Sequence, residues 1–244
     1  YQKADLHGMA AGDYDLDGDN DILLSSGGGN GLFPKPQRLF RNDGDHFTDV
    51  SAEAGIYGSA IGFGLGVSIG DVNRDGWSDI FVSNDFFERD YLYINQQDGT
   101  FKEDIVQRMD ELSMGSMGAD IADINNDGYP EVFVTEMLPA TEARYKTKMT
   151  FENWSKYQLN IRSGYHRQFT RNVLQLNQGD GHFSEIARLA RVHATDWSWS
   201  ALIADFDNDG SKDIYISNGI YKDLLDQDYI HYYSNDQDLL QSIK

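Results

Sequence analysis

The chain has 244 residues, a formal net charge of −20 and no cysteine. An acidic chain without a basic stripe is a poor candidate for nucleic-acid binding, and because no run of about eighteen apolar residues occurs, no membrane-spanning helix is predicted. Its length is sufficient for one large all-β domain with a complete core. The absence of disulfides is compatible with an extracellular location if bound metal ions provide cross-links instead.

An acidic nine-residue segment begins at Asp13, and the same pattern begins again at Asp71, Asp123 and Asp205. In each copy the side chains at positions one, three, five and nine carry oxygen, and the glycine at position six permits a sharp bend that aims them inward. The backbone carbonyl at position seven is a further candidate ligand. Four copies in register therefore predict about four Ca²⁺ sites built only from oxygen.

The candidate metal ligands are positions one, three, five, seven and nine of each copy. They are Asp13, Asp15, Asp17, Asp19 and Asp21 in the first copy, Asp71, Asn73, Asp75, Trp77 and Asp79 in the second, Asp123, Asn125, Asp127, Tyr129 and Glu131 in the third, and Asp205, Asp207, Asp209, Ser211 and Asp213 in the fourth. No catalytic and no other cofactor-binding residues are predicted.

Each acidic segment runs into a short apolar segment with β-branched residues, which predicts a buried strand. These strands are expected at 21–25, 79–83, 131–135 and 213–217. An EF-hand loop requires instead a bidentate Glu at position twelve and a following helix. Position twelve is apolar in every copy, so the loops are expected to connect strands, and a calcium-sensor function is disfavoured.

Small residues precede each loop at fixed offsets. Gly8, Gly66, Gly118 and Ser200 stand five residues before the first ligand, and glycine or alanine stands one residue before it. Small side chains at matched positions are typical of strands whose backbones lie close together, such as the innermost strands of a radial array. We therefore expect the strand before each loop to be an inner strand.

Two alternating segments around an Asp-Gly or Gly-Asp turn follow three of the loops, at 39–49, 92–103 and 174–185. Such a pattern predicts a β-hairpin. An inner strand, a loop, a second strand and a hairpin give four strands per repeat, which is the content of one propeller blade. The predicted fold class is all-β, a β-propeller with four-stranded blades.

The repeats predict a single propeller segment over 1–244, with units at about 1–55, 56–110, 111–190 and 191–220 and a tail at 221–244. The third unit contains an insertion at 136–170, which we expect to be helical from 140 to 159. The tail also has a helical pattern and takes the place of a fourth hairpin, so the array is expected to be incomplete. Because the chain begins at Tyr1 and not at methionine, we expect it to be part of a longer polypeptide.

The loops match the pattern Asp-x-Asp/Asn-x-Asp-Gly-x-x-Asp, with Glu131 as the only departure at position nine. In this they resemble FG-GAP/VCBS repeats, the units of the seven-bladed propeller in integrin α-subunit heads. The hairpins and the stretch 195–200 are similar to VCBS-repeat proteins that carry an ASPIC/UnbV domain, many of which are exported bacterial surface proteins. The resemblance implies a calcium-binding propeller but identifies no ligand, since propellers have many functions.

From these features we expect an extracellular or cell-surface module that is stabilised by calcium and that binds or scaffolds a protein or glycan ligand. The resemblance to VCBS-repeat proteins implies an exported bacterial protein, anchored as a lipoprotein at the outer membrane. The alternative is the propeller of a polysaccharide-processing, lyase-like enzyme. The six histidines form no pairing motif, and no hydrolase, zinc-protease or phosphate-loop motif occurs. A cleft lined by His or Tyr with a basic residue near the central channel would favour the enzyme.

Two further features have alternative interpretations. Trp197 and Trp199 alternate along a predicted strand and form either a sugar-stacking platform or packing between blades; Phe63 and Leu65 at the matching offsets favour packing. The insertion and its end are basic in an acidic chain, which indicates either a partner-binding loop or a solvated face. The basic residues are Arg144, Lys146, Lys148, Arg162, Arg167 and Arg171.

Overall fold

The computed structural model describes residues 5–27, 37–149, 154–220, 226–228 and 230. Most of the regular structure in this part of the chain is antiparallel β-sheet. The first sheet has the strand order β1 (Asp5–Gly12), β2 (Asp21–Gly27), β3 (Arg38–Asn42) and β4 (Phe47–Asp49). The second has the order β5 (Gly64–Gly70), β6 (Asp79–Asn84), β7 (Tyr91–Asn95) and β8 (Phe101–Glu103).

The chain continues through a short helix and the third and fourth sheets. The elements are α1 (Ile105–Arg108), β9 (Leu112–Ser113), β10 (Ala119–Ala122), β11 (Glu131–Val134), α2 (Glu142–Lys148), α3 (Trp154–Arg162), β12 (Gln168–Phe169), β13 (Val173–Asn177), β14 (Phe183–Glu185), β15 (Ser198–Ala204) and β16 (Asp213–Asn218). The third sheet has the order β10-β11-β13-β14, and β15 pairs with β16. A parallel pair, β9 with β12, was not predicted from the sequence.

The predicted all-β, propeller-type fold is confirmed. Each acidic loop connects the first two strands of a sheet, and the three predicted hairpins form the third and fourth strands of the first three sheets. The fourth sheet has two strands in the described part of the chain. No described helix is long and apolar enough to cross a membrane.

The second strands are strongly apolar because both of their faces are buried. In β6, Ile80 and Val82 pack in the core between the first and second sheets, whereas Phe81 packs in the core shared with the third sheet. In β11, Val132 and Val134 face the second sheet and Phe133 faces the fourth. The sheets are thus stacked face to face in chain order, with an apolar layer between each pair, as in propeller blades.

The inner strands of neighbouring sheets approach so closely that they exclude side chains. A Cβ on Gly8 would lie 2.5 Å from the carbonyl oxygen of Leu65, and a Cβ on Gly118 would lie 2.7 Å from that of Trp199. A Cβ on Gly66 would lie 3.1 Å from the Cα of Gly118. The prediction that the small residues mark crowded inner strands is therefore confirmed.

The insertion forms two helices, where the sequence predicted one helical stretch at 140–159. Thr141 caps α2, because its side chain accepts a hydrogen bond from the backbone N–H of Arg144 at 3.4 Å. Residues 150–153 and most of the tail at 221–244, which was also expected to be helical, lie outside the described residues. The insertion contacts the rest of the chain: Lys156 lies over the ring of Phe87 at 4.9 Å, and β12 pairs with β9.

The basic residues of the insertion are not simply a solvated face. Arg171 is buried and its Nη2 lies 2.5 Å from Glu111 and 2.9 Å from Glu185. Arg144 pairs with Asp196, and the Nζ of Lys148 lies 3.1 Å from Asp226. A buried charge is tolerated only when it is paired, which accounts for the two acidic partners of Arg171. Arg144 and Lys148 connect the insertion to residues 196 and 226 of the same chain.

Asp90, which precedes β7, is fully buried and joins two backbone segments. Its carboxylate accepts hydrogen bonds from the backbone N–H of Asn84 and from the hydroxyl of Ser116, both at 2.8 Å. Burial raises the pKa of Asp90 to about 7. The corresponding position in the third sheet is Asn172, whose Oδ1 accepts the N–H of Glu136 at 2.7 Å.

We predict that Gly118→Ala lowers the free energy of unfolding by about 1–3 kcal/mol, because the new methyl group would meet backbone atoms that cannot move away. The matched control is Gly12→Ala. Its Cβ would meet only side-chain atoms of Ile69, at 3.3 Å from Cδ1 and 3.5 Å from Cγ2, and alanine occupies the equivalent positions 122 and 204. Urea denaturation of both variants in saturating calcium measures the difference, and equal losses would contradict the close-approach argument.

We predict that Asp90→Asn removes a pH-dependent loss of stability. The folded-state pKa of Asp90 is above its ordinary value, so its favourable contribution is complete below about pH 4 and is lost as the pH rises through 7. Asparagine preserves the acceptor for the N–H of Asn84 and supplies an amide donor to the Ser116 hydroxyl; the amide of Asn172 likewise donates to a hydroxyl, that of Thr195, at 2.7 Å. Between pH 5 and pH 8, the free energy of unfolding of the variant should rise relative to that of the wild type by on the order of a few kcal/mol. Parallel pH dependences of unfolding in the two proteins would refute this assignment.

Candidate metal sites

The four loops share one backbone conformation. Position four has a positive φ in every loop, at Leu16, Arg74, Asn126 and Asn208, with values between 58° and 61°. The glycine at position six is also left-handed, with φ between 88° and 98°. Two left-handed residues in a short loop fold the chain back on itself, which turns the alternate side chains toward a common centre.

The carboxylate at position one organises the bend. In the first loop Asp13 accepts hydrogen bonds from the backbone N–H groups of Asp17 and Gly18, at 3.2 and 3.0 Å. The other three loops repeat this pair of bonds at 2.8–3.1 Å. The carboxylate at position five accepts the N–H of position seven in all four loops. Side-chain oxygens thus satisfy the backbone donors of the turn.

The acidic residue at position nine closes each loop. It accepts the backbone N–H of position two, as in the 3.0 Å bond from Val72 to Asp79, and the same bond occurs in the other loops. Asp79 also accepts the N–H of Asn95, the last residue of β7, at 2.9 Å. In the first sheet Asp21 accepts from Asn42 at 2.8 Å. One carboxylate therefore connects the loop to the hairpin of its own sheet.

The geometry brings together two sets of three carboxylates. In the first loop the oxygens of Asp13, Asp15 and Asp21 lie within 4.8 Å of one another, and in the fourth loop those of Asp205, Asp207 and Asp209 do. The second and third loops have an amide at position three, so they bring fewer carboxylates together. There the amide nitrogen donates to the carboxylate at position five, at 3.1 Å from Asn73 and 2.9 Å from Asn125.

Two loop oxygens are buried without a hydrogen-bond donor among the described residues: Oδ1 of Asp15 and Oε1 of Glu131. Burial raises the pKa of both carboxyl groups, and neighbouring loop carboxylates raise it further. Burial also raises the pKa of Asp79 to about 7 and that of Asp21 above its ordinary value. Buried oxygens that lack donors and repel one another require a positive charge for their ionised form to be stable.

A hard divalent cation fits these residues. The candidate donors are carboxylate, amide and backbone oxygens, which Ca²⁺ and Mg²⁺ prefer to nitrogen or sulfur ligands. The donors differ in number and burial from loop to loop, and Ca²⁺ tolerates such variation better than Mg²⁺, which requires near-ideal octahedral geometry. When bound, the ion would supply positive charge to the orphaned oxygens and hold the two ends of the loop together.

Sequence reasoning missed two parts of this arrangement. The left-handed residue at position four has no type in common among the loops, although the two asparagines are typical of that conformation. The asparagine at the end of the third strand also links neighbouring sheets. The side-chain amide of Asn95 donates to the carbonyl of Tyr14 in the preceding loop at 2.8 Å, and that of Asn177 donates to the carbonyl of Val72 at 2.8 Å.

Comparisons with known proteins agree with this architecture. The family model described as "FG-GAP-like repeat" matches residues 13–82, 71–134 and 161–216. Integrin alpha-6 of Homo sapiens is 36% identical over 87 residues, which cover 32% of this chain and 8% of that protein. Cartilage acidic protein 1 is 29% identical in Homo sapiens and 28% in Mus musculus over 176 residues, which cover 71% of this chain and 22% of those proteins. The chain thus spans less than a quarter of these relatives.

We predict that Leu16→Asn stabilises the protein by about 0.5–1 kcal/mol, because asparagine adopts the left-handed conformation at less cost than leucine. Leu16 is 52% exposed, so little apolar burial is lost. Asn208→Leu in the fourth loop is the reciprocal control and should destabilise, because Asn208 has the same left-handed conformation, with φ 61°. Chemical denaturation at saturating calcium tests both variants, and a loss of stability in Leu16→Asn would show that its side chain has another role.

Proposed function

The chain belongs to the FG-GAP-like repeat family, and from that premise we propose that it is an extracellular, calcium-stabilised binding module of the propeller type. We assign about four Ca²⁺ ions to the four loops, with the twenty predicted ligands as the binding residues. We also propose one propeller segment over 1–244, with the unit boundaries near residues 55, 110 and 190. The whole protein's partner is a protein or glycan at the cell surface.

One observation carries the proposal: buried loop oxygens without a donor occur inside a turn geometry that is repeated four times. The backbone donors of the loops are already bonded to the carboxylates, and Oδ1 of Asp15 and Oε1 of Glu131 are left without a donor among the described residues. A cation at each centre would complete them. Extracellular modules bind calcium at about 10⁻⁴–10⁻³ M, a range that suits permanent occupancy outside the cell.

Calcium in this proposal is structural. Each loop joins two paired strands of one sheet, and its position-nine carboxylate is bonded to a third strand in the first two sheets. No helix adjoins the loops in the described sheets, so ion binding has no helix to reorient, in contrast to sensor EF-hands. The names of the relatives, integrin and cartilage acidic protein, support a binding or matrix setting and denote no enzyme.

The alternative of a lyase-like enzyme has one observation in its favour. A cavity of about 490 Å³ beneath α2 is lined in part by Tyr145, His193, Arg171 and Arg188. None of its lining residues comes from the inner strands β1, β5, β10 and β15, so it does not open on the central axis. Arg171 is already bound by Glu111 and Glu185, which leaves it unsuited to neutralise a substrate carboxylate. We therefore favour the binding module.

We predict that chelation lowers stability strongly. A site with free metal about tenfold above its dissociation constant gains roughly 1.4 kcal/mol by mass action, so four sites at millimolar calcium contribute roughly 5–6 kcal/mol. Thermal melts with calcium and with excess chelator measure this. Chelation should lower the stability of Asp209→Ala by roughly a quarter less than it lowers that of the wild type. Titration calorimetry should show that this variant binds one equivalent of calcium fewer.

The matched control is Asp45→Ala, since Asp45 is an exposed hairpin acid outside the loops. It should change neither the calcium stoichiometry nor the effect of chelation. A melting curve unmoved by chelator would refute the structural role. A large change of shape without loss of stability would instead identify a calcium switch.

A further inference from the structure

A second cavity of about 420 Å³ lies on the other side of α2, between this helix and the end of the fourth sheet. Its volume is within the range of about 300–1,000 Å³ that is typical of small-ligand sites. Most of its wall is apolar, with a few charged and amide groups. The lining residues are Met137, Pro139, Arg144, Lys148, Met149, Asp196, Trp197, Asn218, Gly219 and Ile220.

Trp197 supplies this cleft with an aromatic wall and an unpaired donor. Its indole Nε1 is buried and has no hydrogen-bond partner among the described residues. The neighbouring Trp199 differs, because its Nε1 donates to the carbonyl of Gly219 at 2.9 Å. Since buried N–H groups are nearly always paired, the indole of Trp197 requires an acceptor that the described residues do not provide.

The position of Trp197 is fixed by its backbone. Asp196 has a left-handed φ of 67°, and its N–H donates to the carbonyl of Leu138 at 2.9 Å. The N–H of Trp197 donates to Oδ1 of Asp196 at 2.8 Å, and its carbonyl accepts the N–H of Gly219 at 2.8 Å. A side chain anchored in this way on both sides is pre-organised for a ligand.

The charges of the cleft are balanced. Arg144 pairs with Asp196 through two bonds, of which the one from Nη2 to Oδ1 measures 3.0 Å, and Lys148 pairs with Asp226. A charged ligand would have to separate one of these pairs. Asn218 donates from its amide to the carbonyl of Thr195 at 2.6 Å, and its Oδ1 has no donor among the described residues, so it remains available to a hydroxyl group.

We propose that this cleft binds a neutral sugar residue of a glycan. The apolar and aromatic wall suits the C–H face of a sugar ring, while a hydroxyl oxygen can accept from Trp197 and a hydroxyl proton can be donated to Asn218. A purely apolar ligand would leave the indole N–H unpaired, which lowers the binding free energy that the ligand can gain. This inference deepens the proposed binding function by naming the ligand class and the site.

Saturation-transfer NMR with calcium-saturated protein tests the proposal. The probes are methyl glycosides of glucose, galactose, mannose and N-acetylglucosamine, with methyl glucuronide, glucosamine and cyclohexanol as charged and apolar comparisons. We expect saturation transfer to at least one neutral glycoside, with Trp197→Phe weakening its binding about three- to tenfold through the loss of one hydrogen bond. Trp154→Phe is the matched control and should leave the affinity unchanged, because Trp154 of α3 is 71% exposed and does not line the cleft.

Each result decides the question. Absence of transfer to every neutral glycoside in the wild-type protein overturns the proposal, whether or not the variants fold. Binding only of glucuronide, glucosamine or cyclohexanol overturns the neutral-sugar assignment, and equal effects of the two tryptophan variants overturn the site. Calcium stoichiometry is measured separately, so sugar binding by a protein that takes no calcium would refute the proposed calcium role and leave this inference standing.

Discussion

The acidic residue at position nine of each loop is the interaction on which the arrangement depends. It accepts the N–H of position two, and in the first two sheets it also accepts the N–H of the hairpin asparagine. One side chain therefore holds the loop, the second strand that it begins and the third strand beside it. In the first three loops this carboxylate is buried, and Asp79 and Glu131 are completely so, whereas Asp213 of the fourth loop is exposed. Burial of a carboxylate without a counter-charge is unfavourable. The same constraint that closes the loop thus creates the demand for a cation.

The loops are connected to one another as well as to their own sheets. Asn95 and Asn177 donate from their side chains to carbonyls of the preceding loop and also to carbonyls of their own loop. Beneath the loops, the inner strands contact each other at glycines, and apolar layers separate the sheets. Because the second and third sheets each contribute to two layers, a distortion of one loop reaches the packing of its neighbour. Such nearest-neighbour dependence is general in repeat proteins.

The insertion is attached to the chain by ion pairs and not by the repeated strand pairing of the sheets. Several of its cations are paired with acidic residues of the chain: in α2, Arg144 pairs with Asp196, just before β15, and Lys148 pairs with Asp226. Helix α2 is attached to the chain mainly through long polar side chains, which leave space on either side of it. The two cavities flank α2 in this space. Clefts at the junction of separately built elements are common ligand sites. The repeats therefore form the stacked sheets, and the insertion adds two clefts beside α2.

The sequence by itself determined the repeated parts of this protein. Four copies of one loop pattern, the apolar runs after them and the glycines before them predicted the strands, the crowded inner edge and the propeller-type sheets, because each of these depends on local chain geometry repeated at fixed offsets. It also placed the candidate ligands, whose alternation follows from the bend at glycine. Only the tertiary structure decided how the parts meet: that Arg171 is buried between Glu111 and Glu185, that β12 pairs with β9, and that Trp197 borders a cleft with its indole N–H unpaired. These contacts join residues far apart in the chain and occur once each, so no periodicity or spacing in the sequence predicts them.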